Sequence, residues 1–312
     1  MDRHLRMLDE RKIHFQLIWA RPIAMMHSEN SRLQAHWART TNDLIAQQIR
    51  LRPDRFAGVA QLPQNVAKDT SNCIAELEHA AERGFVAAML NPDPGADRNA
   101  PGMNDPYWYP LYKRAEELEM TLIVHPSITK VPRVEALTSA YQYNNLTEET
   151  LATLLLEQTD VFEKFPKLRI LVCHCGGSLR RLAFKCDPVD AVAHGRGADN
   201  TYRDSGEIAG GQVGMPVQAG EKIIRDISDN LFFDTCAYDP QFLGAAIKQR
   251  GVARMAFGTE VPGSGSDLMN PVIGKPVDDV LAILESFDFL NDAERTQIVH
   301  DNPLRMFPRL KI

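Results

Sequence analysis

Three residues whose side chains bind metals or carry protons each follow a short apolar run. His125 follows the run 122–124, His174 follows 171–173, and Glu260 follows 256–259. Imidazole and carboxylate groups ligate divalent ions and act as general acids and bases. A single histidine or acid at the end of a strand often has only a structural role, as a satisfied core residue or a helix cap. Three of them at the same position relative to a strand favour a shared site.

The segments that carry these residues alternate between two periodicities. Seven strand-like runs, apolar, β-branched or aromatic, are separated by stretches with apolar residues at three- and four-residue spacing. The predicted strands are 13–20, 56–62, 85–90, 121–125, 169–174, 231–236 and 254–259. The predicted helices include 2–11, 32–50, 70–83, 107–119, 146–165 and 240–249. This alternation predicts parallel βαβ units, whose strands all direct their carboxyl ends towards one mouth.

The pattern favours an α/β TIM-type (β/α)8 barrel over an open doubly wound sheet. No G-x-G-x-x-G motif follows any of the predicted strands, as a doubly wound dinucleotide-binding sheet would usually show. A closed barrel of this kind has eight strands, whereas seven are counted here and a helix precedes the first of them. We therefore expect that the chain lacks the first barrel strand. We expect one domain over 1–312, with a long glycine-rich loop inserted at about 187–220.

Composition excludes several functional classes. The 312 residues are 44% hydrophobic and 24% charged, with a formal net charge of −6, and no apolar run reaches the roughly 18 residues that a membrane span needs. No cluster of Lys and Arg with interleaved aromatic residues predicts a nucleic-acid surface. The charged N-terminus has no apolar core of signal-peptide length, and five cysteines suggest free thiols. We expect a soluble cytoplasmic protein that binds neither nucleic acid nor membrane.

Several motifs, in order, resemble those of a known family. They are Val-His-Pro at 124–126, Phe-Glu-Lys-Phe-Pro-Lys-Leu at 162–168 running into Cys-His-Cys-Gly-Gly at 173–177, and Phe-Gly-Thr-Glu at 257–260. The chain resembles the metal-dependent lyases of the amidohydrolase superfamily, the group typified by aminocarboxymuconate-semialdehyde decarboxylase. Further segments are most similar to the 4-oxalomesaconate hydratase branch: 90–95, 107–110, 232–236 and 302–310.

The resemblance implies roles for the residues at the strand ends. It assigns His125 and Glu260 as metal ligands, and Glu260 favours the hydratase branch because most other relatives have Asp at that position. It assigns His174 as the proton donor or acceptor beside the metal. Asp234 is predicted to be catalytic, either orienting His174 or acting as a second acid, with a scaffold role as the alternative.

Substrates of this group are small, multiply anionic acids, so the resemblance implies cationic and polar residues around the mouth. Arg21 is predicted to grip a substrate carboxylate through its bidentate guanidinium, although a surface ion pair is the alternative. Asn91 and Tyr238 are predicted to contact substrate, although Asn91 lies beside a turn-like Pro-Asp-Pro-Gly run and Tyr238 could belong to the scaffold. The resemblance also implies a homo-oligomer, a dimer in the first instance.

One family feature is absent from this sequence. Relatives hold the metal partly with a His-x-His pair on the first strand, and no two of the nine histidines here lie two residues apart. We expect a divalent cofactor, zinc first and manganese second. We also expect reduced occupancy unless His27 or His14 substitutes for the missing pair, because two ligands alone hold zinc poorly.

The expected reaction is addition of water to an unsaturated di- or tricarboxylic acid from aromatic-compound breakdown. The alternatives are non-oxidative decarboxylation of an aromatic or muconate-type acid, hydrolysis of a lactone or amide, and a metal-poor inactive relative.

Overall fold

Seven parallel strands form a single sheet in the order in which they occur along the chain. The computed structural model describes residues 2–65, 69–157, 159–179, 229–263, 265–271 and 273–311. The strands are β1 (Gln16–Ile18), β2 (Phe56–Ala60), β3 (Ala87–Leu90), β4 (Thr121–Val124), β5 (Ile170–Val172), β6 (Leu231–Asp234) and β7 (Met255–Ala256). The predicted TIM-barrel-like α/β architecture and the seven predicted strands are confirmed. An eighth strand is not found within the described ranges.

Helices connect the strands. They are α1 (Asp2–Glu10), α2 (Ser31–Leu51), α3 (Ser71–Glu82), α4 (Tyr109–Glu117), α5 (Pro132–Glu135), α6 (Ala140–Glu157), α7 (Val161–Lys164), α8 (Pro240–Arg250), α9 (Val280–Glu285), α10 (Asp292–Thr296) and α11 (Asn302–Met306). Side-chain caps fix several starts: Asn30 accepts from the Leu33 N–H, and Asp239 accepts from the Phe242 N–H. The loop predicted at 187–220 lies outside the described residues.

Alternate residues of the strands face two separate cores, as the period of a strand requires. Leu122 and Val124 pack against the helices in the larger cluster, whereas Ile123 between them faces the inner cluster. The same inner cluster contains Met89 and Phe232, and α11 contributes Met306. Strands buried on both faces explain why the sequence shows nearly continuous apolar runs.

The N-terminal helix α1 packs between the first strands of the sheet and the loop after β7. Leu8 and Ile13 form a cluster with Phe56 and Val261, and Arg11 makes a buried ion pair with Asp278, Nε to Oδ1, at 2.8 Å. α1 and the segment that follows it therefore tie the first strand to the loop after the seventh.

Two of the predicted boundaries that differ from the structure lie beside His174. The predicted strand 169–174 ends at Val172, because the backbone from His174 onwards has positive φ angles that no strand accommodates. The predicted helix 146–165 is instead α6, which begins at Ala140, followed by the separate short helix α7. His174 therefore belongs to a turn, and helix α6 extends alongside that turn.

Candidate active site

His125 comes directly after β4, and its ring is held in one tautomer. It lies two residues beyond Ile123, so the alternation of the strand directs it to the inner face. Its Nδ1 lies 2.5 Å from the Pro126 carbonyl oxygen, which can only accept a hydrogen bond. Nδ1 therefore carries the proton and Nε2 keeps its lone pair. Burial, together with His174, lowers the pKa of His125 to about 3, so the ring is neutral, as a metal ligand must be.

His174 lies next to His125 and bonds to a carboxylate that the sequence did not indicate. The two imidazole rings are 5.0 Å apart between centroids. His174 Nδ1 lies 2.7 Å from Oε1 of Glu149, whose side chain on α6 is fully buried. Burial by itself disfavours the imidazolium, but the carboxylates of Glu149 and Glu260 raise the pKa of His174 well above its usual value. Burial also raises the pKa of Glu149 to about 7, against the opposing effect of His174.

A strained turn presents the His174 ring. Residues 174–177 all have positive φ, at 47°, 60°, 77° and 78°, and the first two are not glycines. Gly177 approaches the α6 backbone so closely that a Cβ would lie 2.5 Å from the Thr150 nitrogen, so only glycine fits. The Thr153 hydroxyl donates to the Gly176 carbonyl at 3.0 Å. Helix α6 therefore supplies both the partner of His174 and part of the turn's support.

Glu260 follows β7 and completes the group. Its Oε1 lies 3.6 Å from Nε2 of His174, and its Oε2 accepts a hydrogen bond from the Tyr238 hydroxyl at 3.0 Å. The neighbouring His174 imidazole lowers the pKa of Glu260 to about 2, so the group is a carboxylate at neutral pH. Burial raises the pKa of Tyr238, which keeps its hydroxyl protonated as a donor. The structure therefore brings together His125, His174, Glu260 and Tyr238.

Asp234 ends β6 and bonds to backbone rather than to His174. Its Oδ1 accepts from the Cys175 N–H at 3.2 Å and from the Cys236 N–H at 3.0 Å. Burial raises the pKa of Asp234. Glu149, rather than Asp234, makes the hydrogen bond to Nδ1 of His174. Asp234 instead holds the middle of the 174–177 turn.

One set of donor atoms is close enough to surround a single ion. One ligand atom each from His174, Cys236 and Glu260 lie within 4.8 Å of one another. Cys236 was not among the predicted ligands, and burial raises the pKa of its thiol well above the usual value. His125, the predicted ligand, lies against His174 at the edge of this set.

The two proposed histidine substitutes differ in position. His27 is buried, with Nε2 3.0 Å from the Leu62 carbonyl oxygen and Nδ1 3.1 Å from the Asn91 amide nitrogen. Both of its ring nitrogens are thus occupied, and burial lowers its pKa to about 4. His14 is exposed in the segment between α1 and β1. In this arrangement His27 has no lone pair available for a metal.

The predicted substrate-binding residues lie in different environments. Arg21 is exposed after β1, and the Pro22 carbonyl beside it accepts a hydrogen bond from Ser127, two residues beyond His125, at 2.7 Å. This bond places the Arg21 loop next to the His125 loop. Asn91 is buried: its amide nitrogen bonds to His27, and its side-chain oxygen accepts from the Asp93 N–H at 3.0 Å. The side-chain oxygen and nitrogen of Asn91 are therefore both paired within the protein.

The sequence did not predict Glu149 as a site residue. The predicted site residues lie at or just after strand ends, whereas Glu149 comes from the middle of helix α6. A signal was nevertheless present: Glu149, Ala152 and Leu156 share one face of α6, and an acid on an apolar face needs a partner.

Comparisons with known proteins agree with this architecture. The Amidohydrolase family model matches residues 2–309. A 2-keto-4-carboxy-3-hexenedioate hydratase from Sphingobium sp. strain SYK-6 is 32% identical over 98% of this chain and 82% of its own length. Within the described residues, no helix is both long and apolar enough to cross a membrane.

Two solved structures share the fold across nearly the whole chain. The 4-oxalomesaconate hydratase of Rhodopseudomonas palustris superimposes with a TM-score of 0.74 at 26% identity, over 99% of this chain and 80% of that one. A dihydroxybenzoic acid decarboxylase of Polaromonas sp. JS666, solved with bound manganese and 2-nitroresorcinol, gives a TM-score of 0.67 at 20% identity over 100% and 87%. The strand-end site, the barrel-like sheet and the match over residues 2–309 lead to one conclusion: this chain belongs to the amidohydrolase family.

Proposed function

We propose that this protein is a metal-dependent hydratase that adds water across a carbon–carbon double bond of a small unsaturated di- or tricarboxylic acid from aromatic-compound catabolism. The observation that carries the proposal is His174, bound at Nδ1 by buried Glu149 and directed at Nε2 towards Glu260. This arrangement gives one proton-transferring group beside one carboxylate. Similarity to a hydratase over 98% of the chain supports the choice of reaction.

The donor atoms fit a divalent ion. His125 keeps a lone pair on Nε2 because Nδ1 donates to Pro126, and Glu260 is ionised. We propose these two residues as ligands, while the neighbouring His174 carries the proton and does not bind the metal. A bound divalent ion supplies Lewis acidity and lowers the pKa of coordinated water towards neutrality. Manganese in a related decarboxylase makes manganese a candidate equal to zinc.

The chain's own groups have separate tasks. His174 moves the proton at the substrate carbon, and Glu149 keeps the ring in the tautomer whose Nε2 faces the mouth. Tyr238 holds one oxygen of Glu260 and thereby fixes the carboxylate. Arg21, in the loop beside His125, binds a substrate carboxylate. Asn91 fixes the buried ring of His27 by a hydrogen bond to its Nδ1. Asp234 acts through the turn that carries His174.

Four cysteines in the described ranges, Cys73, Cys173, Cys175 and Cys236, are buried and not disulfide-bonded. We propose on this basis that the protein works in a reducing cytoplasm. We also propose a homodimer, which sedimentation at micromolar concentration tests directly.

Decarboxylation is the second candidate, and the similarity to a decarboxylase structure is the observation that favours it. Both reactions need a proton carrier beside a metal, but they differ in their products. The test is to incubate the purified chain with a conjugated carboxylic acid of this class and a divalent salt. Hydration gives a product one water heavier, with a new carbinol carbon in the NMR spectrum. Release of CO2 without that carbon would overturn the hydratase proposal, and hydrolysis of a lactone or amide would do so as well.

A further inference from the structure

A buried arginine at the end of α8 binds the turn that carries His174. Arg250 is the last residue of α8 and is 3% exposed. Its Nε donates to the Cys175 carbonyl at 3.2 Å, and its Nη2 donates to the Gly176 carbonyl at 3.0 Å and to the Ser178 carbonyl at 3.4 Å. One guanidinium therefore binds three carbonyl groups within a four-residue stretch.

The arginine is itself held in place. Its guanidinium carbon lies 4.5 Å from the centre of the Phe233 ring in β6, and its Nη1 lies 3.4 Å from Oε1 of Glu157, which is buried at the end of α6. Aromatic stacking and a buried carboxylate suit the planar, delocalised charge of arginine better than that of lysine. The group is thus fixed on a strand and a helix, both of which are rigid elements.

The turn requires such support. Four successive residues with positive φ form a conformation that L-residues rarely adopt, and such a conformation persists only where its surroundings enforce it. The supports already described are Thr153 from α6 and Asp234 from β6, and each makes one bond to the turn. Arg250 makes more hydrogen bonds to the segment than either.

We propose that Arg250 is a positioning residue, which holds the backbone of residues 174–178 so that the His174 ring lies between Glu149 and the mouth of the barrel. The inference rests on the proposed function, in which His174 transfers the proton. Among the described residues, the hydrogen bonds of Arg250 go to the turn and to Glu157, not to His125, His174 or Glu260. Loss of Arg250 therefore displaces His174 while leaving substrate binding largely intact.

The test is Arg250→Met, which keeps an unbranched apolar side chain and removes every donor. We expect kcat to fall about 10²-fold, because small misplacements of a catalytic group have effects of this size. We expect KM to stay within about twofold. Arg250→Lys should recover part of the rate, since one ammonium group can reach only some of the three carbonyls. Equal losses in kcat for Met and Lys would contradict the proposed geometry.

Two further variants separate positioning from folding. Arg250→Met takes one partner from the buried Glu157 carboxylate. The double variant Arg250→Met/Glu157→Gln also removes the charge of that carboxylate, so it folds if that charge alone prevents folding of Arg250→Met. Arg309→Met is the matched control, because Arg309 also donates to three carbonyls, those of Ala81, Phe85 and Leu118, at the opposite end of the strands. It should lower stability and leave kcat unchanged. A similar loss of kcat in Arg309→Met would overturn the proposal.

Hydrogen exchange tests the role of Arg250 without a measurement of catalysis, so the result does not depend on which reaction the protein performs. Hydrogen exchange at 175–178 reports the turn directly, because the amides of Cys175 and Ser178 bond to Asp234 and Thr150. Exchange should accelerate there in the double variant and not in Arg309→Met. Unchanged exchange would overturn the proposed role of Arg250 in holding residues 174–178, even in an active enzyme. If the wild-type protein proves inactive as a hydratase, accelerated exchange still supports that role, and only the proposed function fails.

Discussion

Nδ1 of His174 and Oε1 of Glu149 are 2.7 Å apart, and the side chain of Glu149 has no exposure to solvent. A carboxylate in this position fixes the tautomer of the ring and stabilises its protonated form, as the aspartate does in hydrolytic triads. The remaining nitrogen of His174 is thereby directed towards Glu260, 3.6 Å away. A helix therefore contributes a charged group to a site otherwise built at strand ends.

Glu149→Gln should lower kcat about 10²-fold with little change in metal content, because the amide keeps the shape and loses the charge that orients and stabilises the imidazolium. Steady-state kinetics and metal analysis of the same preparation check it. Glu148→Gln is the control, since the neighbouring carboxylate pairs with Arg98 at 2.9 Å instead. Equal losses in the two variants would mean that charge on α6, rather than contact with His174, matters.

His174→Asn should reduce turnover by about 10²- to 10⁴-fold, the usual contribution of a general acid or base, while the bound metal stays. Single-turnover kinetics alongside metal analysis separates the two effects. Loss of metal together with activity would make His174 a ligand, and the group formed with Cys236 and Glu260 would then be the true metal site.

Arg21→Met should raise KM by about tenfold or more and leave kcat nearly unchanged, because the exposed guanidinium contributes to binding of a substrate carboxylate. The substrate dependence of the initial rate measures this. Arg32→Met, which changes another exposed arginine at the start of α2, is the control. An unaltered KM would remove Arg21 from the site.

His27 predicts a pH dependence of stability. Its folded pKa of about 4 lies below its unfolded value near 6.5, so the unfolded chain binds more protons and stability falls as pH decreases from about 6.5 towards 4. Between pH 7.5 and pH 5 this amounts to about 2 kcal/mol.

Urea unfolding at the two pH values checks this prediction. His27→Gln keeps a donor for Leu62 and an acceptor for Asn91 but does not titrate. Its free energy of unfolding should therefore fall by about 2 kcal/mol less than that of the wild type between pH 7.5 and pH 5. His36→Gln, on the exposed side of α2, should behave as the wild type does. An identical pH dependence in wild type and His27→Gln would refute the assignment.

The sequence predicted the parts of this protein that depend on local pattern. The seven strands and the positions of His125 and Glu260 follow from apolar runs and from the rule that parallel strands share a mouth. Asp234 was also placed correctly at a strand end. Its bond to the backbone of the 174–177 turn was not foreseen, because that turn depends on a local conformation that periodicity does not encode.

Glu149 and Arg250 could not be located by the same rules. Both belong to helices, and both reach the site through contacts between residues 25 and 75 positions apart in sequence. Tertiary packing, which the local sequence pattern does not encode, determines which strand end a buried charged side chain of a helix contacts. The predicted roles of His125 and Glu260 as ligands remain predictions for the same reason, since a ligand set is defined by distances.

Metal stoichiometry of the wild-type protein and of His125→Ala, measured by mass spectrometry on samples assayed for hydration, shows whether His125 holds a metal that the reaction needs. We predict about one manganese or zinc ion per wild-type chain, and loss of both the ion and the hydration rate in His125→Ala. A wild-type chain without stoichiometric metal, and with activity untouched by His125→Ala, would contradict it.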